Sequence, residues 1–360
     1  DLEKLSRKIV LMRATPKDLA MIGCDLRRAE VLYGEIKKDS YFLQHIDQPP
    51  IDELARVVLS NMEETFDLEA CSQIDDLSPE RLILNAASNT FIRQGRDSTI
   101  DDMRINGLDG RQMLEAIRKY LCSHLGCEKS RGGEPIKIHE TAKQNPTLQL
   151  TQRRSVLLKT SIKKYLAREG ADPYVSLTIQ GYGGERCFNI DLSDLTFSPV
   201  GNSKSICMVT NSRIEEICTG LQNNKDKLVQ SYVMFYNNYI ASFQKLLPEI
   251  EATANFMALV DLEQCRCYIA HKFNYCRPTI VKQDKAYFDA EGIRHPLIEH
   301  LQTRETYVTN DLMFGADTDG LLLYGTNAVG KTSLIKAVGI AVVMAQAGLY
   351  VPCKKFTYSP

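Results

Sequence analysis

Residues 321–352 read LLLYGTNAVGKTSLIKAVGIAVVMAQAGLYVP, and this stretch decides the fold of the last part of the chain. Within it, residues 325–332 match the pattern of Gly, four residues, Gly, Lys and Thr that is typical of a phosphate-binding loop. The apolar residues 321–324 predict a buried strand before the loop, and the apolar spacing of residues 333–347 predicts a helix after it. An ordinary glycine-containing turn is the alternative, but the order of strand, loop, Lys-Thr and helix favours a phosphate loop.

The residue types in this loop suit the phosphates of a nucleotide. Gly325 and Gly330 permit backbone angles that let successive N–H groups converge on phosphate oxygens. Lys331 is expected to reach the β and γ phosphates, and the Thr332 hydroxyl is expected to bind Mg²⁺. The predicted nucleotide-binding residues of this stretch are Gly325, Thr326, Asn327, Ala328, Val329, Gly330, Lys331, Thr332 and Ser333.

Composition sets broad limits on what the chain can be. With 360 residues and 44% hydrophobic content, the chain is expected to form two or three globular domains. Eleven cysteines include no C-x-x-C pair, so the sequence indicates neither a zinc knuckle nor a disulfide framework. No stretch approaches the roughly 20 uninterrupted apolar residues of a membrane span, so we expect no membrane association.

Positive charge is concentrated in one segment. The net charge is −1, yet residues 129–168 hold ten Lys and Arg against two acids, which is a local charge of +8. Such a run is often a solvated face, but the shortage of acids favours contact with the phosphates of DNA. Few aromatic residues accompany the charge, so we expect duplex DNA rather than stacked single strands. The predicted DNA-binding residues, placed on strands and turns, are Arg153, Arg154, Lys159, Lys163 and Lys164.

The remaining sequence predicts helices on both sides of a β-rich insert. Thr15, Pro16 and Asp18 predict a capped helix start, and another helix is expected to begin at Ser98. Alternating apolar stretches separated by Gly, Asn and Pro over residues 133–210 predict short strands. A capping box of Ser212 and Glu215 then predicts the start of a helix of about 35 residues, near 50 Å long. The strand-like segments after residue 273 predict an α/β nucleotide domain.

At this point the ordered motifs resemble the MutS family of mismatch-repair proteins. The segments GIRHPLIE, TYVTNDL, GTNAVGKTS and AVVMAQAGLYVP follow one another as in the core and ATPase regions of that family. Weaker but ordered similarity is found in DLEKLSRKI, TPKDL, FIRQGRDSTIDDMR and ALVDLEQCRCYIAHKFNYCRP. Together these segments span most of the chain, and the β-rich insert is the part least similar to the family.

The resemblance implies a mixed, multidomain fold. A helical core and lever (residues 1–125) would carry an inserted β-rich clamp (126–211), a long lever helix and core return (212–272), and the truncated N-terminal part of an α/β P-loop, ABC-class ATPase domain (273–360). It also implies binding of ATP and Mg²⁺, with the Tyr307 ring stacked on adenine. The whole protein would be an ATPase that acts as a clamp on mismatched double-stranded DNA, as a homodimer or a MutS-like heterodimer. His295 has no second histidine or carboxylate at metal-like spacing, and we interpret it as structural.

The chain departs from the family pattern in several places. The loop has Thr326, Ala328 and Val329 where the family commonly has proline, methionine and glycine. The segments GTNAVGKTS and GLYVPC are similar in sequence to those of family members from large DNA viruses and octocoral mitochondria. Walker B acids, a signature motif and an N-terminal mismatch-reading domain are missing from these residues. Because the chain starts at Asp1 and stops just after a helix, we expect a piece of a longer protein that does not turn over ATP by itself.

Three other functions remain open at this point. A MutS paralogue that acts in recombination would share the same motifs without reading mismatches. A small-molecule kinase with a helical appendage is less favoured, because more than 300 residues precede the phosphate loop. A scaffold that binds nucleotide without cleaving it is the third alternative.

Overall fold

The computed structural model describes residues 1–39, 49–79, 82, 91–126, 134–140, 145–201, 205–301, 307–327 and 329–359. The fold is a mixture of helices and sheets, and the chain divides into two compact units, Asp1–Thr253 and Ala254–Pro360. Each unit has its own packed elements and is described separately. The four domain ranges that the resemblance implies stay a prediction.

The first unit opens with a group of helices. The predicted start of the second helix is confirmed, because Thr15 and Asp18 form a reciprocal capping box and Pro16 is the first helical residue. The Thr15 backbone N–H donates to Asp18 Oδ2 at 2.9 Å, and Lys8 Nζ lies 2.6 Å from the other carboxylate oxygen. These helices are α1 (Leu2–Val10), α2 (Pro16–Ile36), α3 (Ile51–Thr65) and the short α4 (Leu68–Cys71).

Two long helices, α5 (Ser98–Ser123) and α7 (Ser212–Phe243), pack against each other. The predicted start at Ser98 is confirmed, and α7 has 32 residues, which corresponds to about 48 Å. A Cβ added at Gly110 of α5 would lie 2.8 Å from Cδ2 of Leu221 on α7. The absence of a side chain at this glycine therefore lets the two helices approach closely.

The predicted cap of α7 was wrong by one residue. Asn211, not Ser212, is the N-cap, and its Oδ1 accepts a hydrogen bond from the Ile214 N–H at 2.7 Å. The Ser212 N–H donates to Asp194 Oδ2 at 3.0 Å, and the Ser212 hydroxyl donates to the same oxygen. Because Asp194 holds Ser212, the neighbouring asparagine satisfies the first turn instead.

The β-rich part lies between α5 and α7 in sequence and shares one apolar core with them. Four antiparallel strands form a sheet in the order β1-β2-β6-β5, and β3 and β4 form a separate antiparallel hairpin. The strands are β1 (Lys137–His139), β2 (Thr147–Thr151), β3 (Tyr174–Gly181), β4 (Gly184–Asp191), β5 (Thr196–Pro199) and β6 (Ile206–Thr210).

The placement of the basic residues on strands and turns was wrong, because they lie on a helix, α6 (Gln152–Leu166). Thr151 caps this helix by accepting a hydrogen bond from the Arg154 N–H at 3.4 Å. Ser155, Leu158 and Ile162 are buried, and their spacing of three and four residues is that of one helix face. The opposite face of α6 is exposed.

The second unit contains a four-stranded sheet in the order β7-β10-β8-β9. Ala337, Ala341 and Ala345 of α10 are buried in the apolar core of this unit, which they share with Phe288 and Phe356 of the sheet. Helix α8 (Leu247–Phe273) follows a 3₁₀ turn after α7, and the boundary between the two units falls within it. The other elements are β7 (Thr279–Ile280), β8 (Phe288–Ile293), α9 (Pro296–Leu301), β9 (Asn310–Phe314), α10 (Lys331–Gln346) and β10 (Lys355–Tyr358).

The buried strand predicted at residues 321–324 was wrong in this structure. These residues form no strand, and the side chains of Leu322 and Tyr324 are 85% and 88% exposed. A strand needs partners for its N–H and C=O groups, and none of the described strands pairs with this segment. The helix predicted after the loop is confirmed as α10, and Gly348 follows it with a positive φ of 74°.

Candidate functional site

The glycine-rich loop leads directly into α10. Gly325 has a φ of 153° and Gly330 a φ of 92°, values that L side chains rarely adopt. Gly330 is the N-cap of α10 and supplies no side-chain cap. The first-turn N–H groups of α10 are therefore available at the loop, where the helix dipole favours an anion.

Lys331 is the first residue of α10 and folds back over the loop. Its Nζ donates a hydrogen bond to the carbonyl oxygen of Gly325 at 2.8 Å and a second, short one to that of Thr326. The ammonium group thus bridges two successive carbonyl groups of the loop. Among the predicted binding residues, the structure brings these three together.

The other loop residues differ in exposure. Thr326, Asn327, Val329 and Thr332 are exposed, while Ser333 is half-buried. Ala328 lies outside the described residues. The Val329 Cγ2 atom lies 3.4 Å from the position that a Cβ at Gly325 would occupy, so a side chain stands where the family commonly has only hydrogen. The loop is nevertheless open to solvent along the described residues.

Tyr307 lies three residues before β9 in the chain. Its side chain is half-buried, and the backbone N–H of His295 donates a hydrogen bond to its hydroxyl. Burial raises the pKa of Tyr307, the hydrogen bond from His295 lowers it, and the carboxylate of Glu299 raises it again. The polar contacts of Tyr307 therefore go to the turn formed by His295 and Glu299.

His295 caps the short helix α9. It is 5% exposed, and its Nδ1 accepts a hydrogen bond from the Ile298 N–H at 3.4 Å. The part of the chain that the structure describes contains no group of three His, Cys, Asp or Glu side chains that could hold a metal ion. These contacts fit the interpretation of His295 as a structural residue.

The five basic residues of α6 fall into two groups. Arg153, Lys163 and Lys164 are exposed. Arg154 is half-buried and donates to the Pro135 carbonyl at 3.4 Å. Lys159 is exposed, but its Nζ lies 4.9 Å from the ring centroid of Phe197. The two groups could not be distinguished from the sequence, because the orientation of each side chain depends on α6, which the sequence pattern had not predicted.

Two apolar side chains share the exposed face of α6. Val156 and Leu157 are each 55% exposed and lie between Arg153 and Lys163 in sequence. The face is thus mixed rather than purely basic. No helix among the described residues is long and apolar enough to cross a membrane.

Comparisons with known proteins identify relatives over the whole chain. No family model matches the chain. The chain is 22% identical over 406 residues to a putative DNA mismatch repair protein mutS homolog of Acanthamoeba polyphaga mimivirus, which covers 100% of this chain and 34% of that protein. It is 24% identical over 359 residues to the DNA mismatch repair protein MutS of Petrotoga mobilis, covering 99% of this chain and 36% of that protein.

A third relative comes from an octocoral. It is the mitochondrial DNA mismatch repair protein mutS homolog of Sarcophyton glaucum, 27% identical over 211 residues, with 56% of this chain and 21% of that protein covered. Viral and octocoral relatives are thus both among the matches, as the residues of GTNAVGKTS and GLYVPC predicted. The chain spans about a third or less of the length of these relatives. The ordered motifs and the matches to proteins named MutS along its whole length support a MutS-family protein.

Proposed function

We propose that this chain is the core and nucleotide-binding part of an ATP-dependent protein of DNA mismatch repair. The observation that carries the proposal is the loop of residues 325–332, with two glycines at positive φ and Lys331 at the start of α10. The names of the relatives, all of which refer to DNA mismatch repair, support the same function. The whole protein would be a P-loop ATPase of the ABC class.

The residues of the loop fit ATP and Mg²⁺. Lys331 Nζ is bonded to two neutral carbonyl oxygens, and a phosphate oxygen would be a stronger acceptor for its charged donor. The first-turn N–H groups of α10 would bind phosphate oxygens, and the exposed Thr332 hydroxyl would bind Mg²⁺. Bound ATP supplies the phosphoryl group whose cleavage drives such proteins. The half-buried ring of Tyr307 would stack on the adenine.

The basic face of α6 would contact duplex DNA. Arg153, Lys163 and Lys164 are exposed on a helix that packs on the β-rich part through its buried face. Charge of this kind binds the phosphate backbone without base preference. In the proposed arrangement, residues 126–211 are the clamp, and two subunits, as a homodimer or a MutS-like heterodimer, enclose a mismatched duplex.

Equilibrium binding of a fluorescent ATP analogue tests the nucleotide site. Lys331→Ala should weaken binding at least tenfold, because a charge facing the phosphates is lost. Tyr307→Ala should cost less, about 1 to 2 kcal/mol for a lost ring stack.

The matched control is Lys336→Ala, which removes an exposed lysine from the same helix. Its affinity should equal that of the unmodified chain. If folded Lys331→Ala protein binds the analogue as tightly as the control, the assignment of the loop is wrong.

A further inference from the structure

The C-terminal end of α8 is held by one arginine from another element. The helix ends at Phe273, and Asn274 adopts the left-handed conformation with a φ of 51°. The Tyr275 N–H then bonds to the Ala270 carbonyl at 3.0 Å, which is the pattern of a Schellman cap. Arg294 Nη2 donates to the carbonyls of Phe273 and Asn274, at 3.0 and 3.1 Å.

The same arginine makes three more contacts. Its Nε lies 3.4 Å from Glu299 Oε1, and its Cζ lies 5.6 Å from the ring centroid of Tyr275. Its backbone N–H donates to the Pro352 carbonyl at 2.9 Å, in the segment that follows α10. The side chain is only 13% exposed. A planar guanidinium with five donors can serve Phe273, Asn274 and Glu299 at once, whereas an ammonium group cannot.

The next residue along the chain touches the predicted adenine-stacking ring. The His295 N–H donates to the Tyr307 hydroxyl, and the His295 carbonyl accepts from the Glu299 N–H at 3.0 Å. The segment of residues 294–299, which includes the start of α9, therefore contacts Tyr307 through the His295 backbone and the end of α8 through Arg294. The hydrogen bond from the Arg294 backbone N–H to the Pro352 carbonyl connects the same segment to the residues that follow α10.

We infer that Arg294 is a positioning residue that couples the nucleotide site to the C-terminal end of α8. This inference rests on the proposed function, since it takes Tyr307 and α10 as parts of an ATP site. When ATP binds, Tyr307 and the segment of residues 294–299 that contacts it are fixed, and Arg294 fixes the last carbonyls of α8 with them. A cation at this helix end also interacts favourably with the helix dipole.

Hydrogen exchange of the amides in residues 266–275, with and without ATP and Mg²⁺, tests the coupling in the full chain. In the unmodified chain, ATP should slow this exchange about tenfold, within the usual range of coupling between sites. Arg294→Gln should abolish the effect of ATP on these amides, and Arg294→Lys should reduce it. Because coupling is reciprocal, the affinity for ATP should fall in these variants by no more than the lost protection factor.

Arg277→Gln is the matched control, because it removes a nearby exposed arginine at the same end of α8. It should leave the ATP-dependent protection unchanged. Should Arg294→Gln fail to fold, Glu299→Gln weakens the ion pair while Arg294 keeps its carbonyl partners, and the protection should fall partially.

Three outcomes overturn the inference. If the unmodified chain binds ATP but shows no protection of residues 266–275, no coupling exists. If protection persists in the folded Arg294 variants, Arg294 only stabilises the turn, and the proposed function stands without it. If the unmodified chain binds no ATP, the proposed function fails and the inference fails with it.

Discussion

The orientation of the basic residues on α6 leads to a quantitative prediction for DNA binding. The test compares two double variants that each remove two positive charges from the same helix. Arg153→Ala/Lys164→Ala removes exposed charges that lie about 16 Å apart along one face. Arg154→Ala/Lys159→Ala removes charges whose side chains are engaged with Pro135 and Phe197. Because the total charge is the same in both variants, only the position of the charge differs.

The expected difference follows from counterion release. Each phosphate contact contributes about −0.9 to the slope of log K against log salt concentration. If Arg153, Lys163 and Lys164 each contact one phosphate, while Lys159 stays over the Phe197 ring, α6 has a slope of about −2.7, and the first double variant should retain only about −0.9 of it. Between 50 and 200 mM salt, this variant should lose about 12-fold less affinity than the unmodified chain. The second variant should keep nearly the full slope.

The assay is the fluorescence anisotropy of a labelled duplex, titrated with protein at several salt concentrations. Circular dichroism of each variant verifies that α6 remains helical. Equal flattening in both variants would show that the orientation of α6 does not decide the contacts. Unchanged slopes in both would assign the charge to a solvated surface and remove α6 from the DNA interface.

Two further predictions concern the stability of the first unit and are measured by chemical denaturation. Gly110→Ala should lower the free energy of unfolding by about 1 kcal/mol, because its Cβ would lie 2.8 Å from Leu221 Cδ2. Gly220→Ala, where nothing lies within 4 Å of the added Cβ, should raise the free energy of unfolding by up to about 1 kcal/mol. Equal effects of the two substitutions would disprove the close packing at Gly110. Burial raises the pKa of Asp18, but hydrogen bonds from Lys8 and Thr15 lower it below its ordinary value overall. The carboxylate therefore stabilises the fold above about pH 4 and loses this contribution as the pH falls through its lowered pKa. Asp18→Asn should cost about 1 to 2 kcal/mol at pH 7 and progressively less as the pH falls through the lowered pKa of Asp18, and a cost independent of pH would contradict this account.

Local signals in the sequence predicted those parts of the fold that depend on local contacts. The capping box of Thr15 and Asp18, the start of α5 at Ser98 and the helix after the phosphate loop each depend on residues within one or two turns. Their partners lie nearby in the chain, so the pattern contains the information. The strands of the β-rich part were found for the same reason, since alternation is a local property.

The predictions from the sequence were wrong where contacts between residues far apart in the chain determine the structure. Helix α6 was missed because its position among short strands suggested another strand, although the spacing of Ser155, Leu158 and Ile162 was visible in the sequence. The segment 321–324 has the composition of a strand, but pairing requires a partner, which composition does not reveal. The cap at Asn211 rather than Ser212 depends on Asp194, which lies 18 residues from Ser212.

In the candidate site, the sequence located the glycine-rich loop before α10 but not its internal bonds. Its role as a phosphate loop stays a prediction, and the structure adds the bridge from Lys331 to two carbonyls. Arg294 was missed entirely. Its position next to His295, in the sequence RHP, was a signal. Its hydrogen-bond partners at residues 273 and 274, however, lie about 20 positions away in the chain.

The unbroken length of α7 has a mechanical consequence. Because its 32 residues have no interruption, a tilt of about 5° at one end displaces the other end by about 4 Å. A movement of that size exceeds the length of a hydrogen bond, so it is large enough to make or break a contact with a phosphate group. The angle at which one end of α7 is held, rather than any new bond along the helix, would then determine whether its other end makes or loses such a contact.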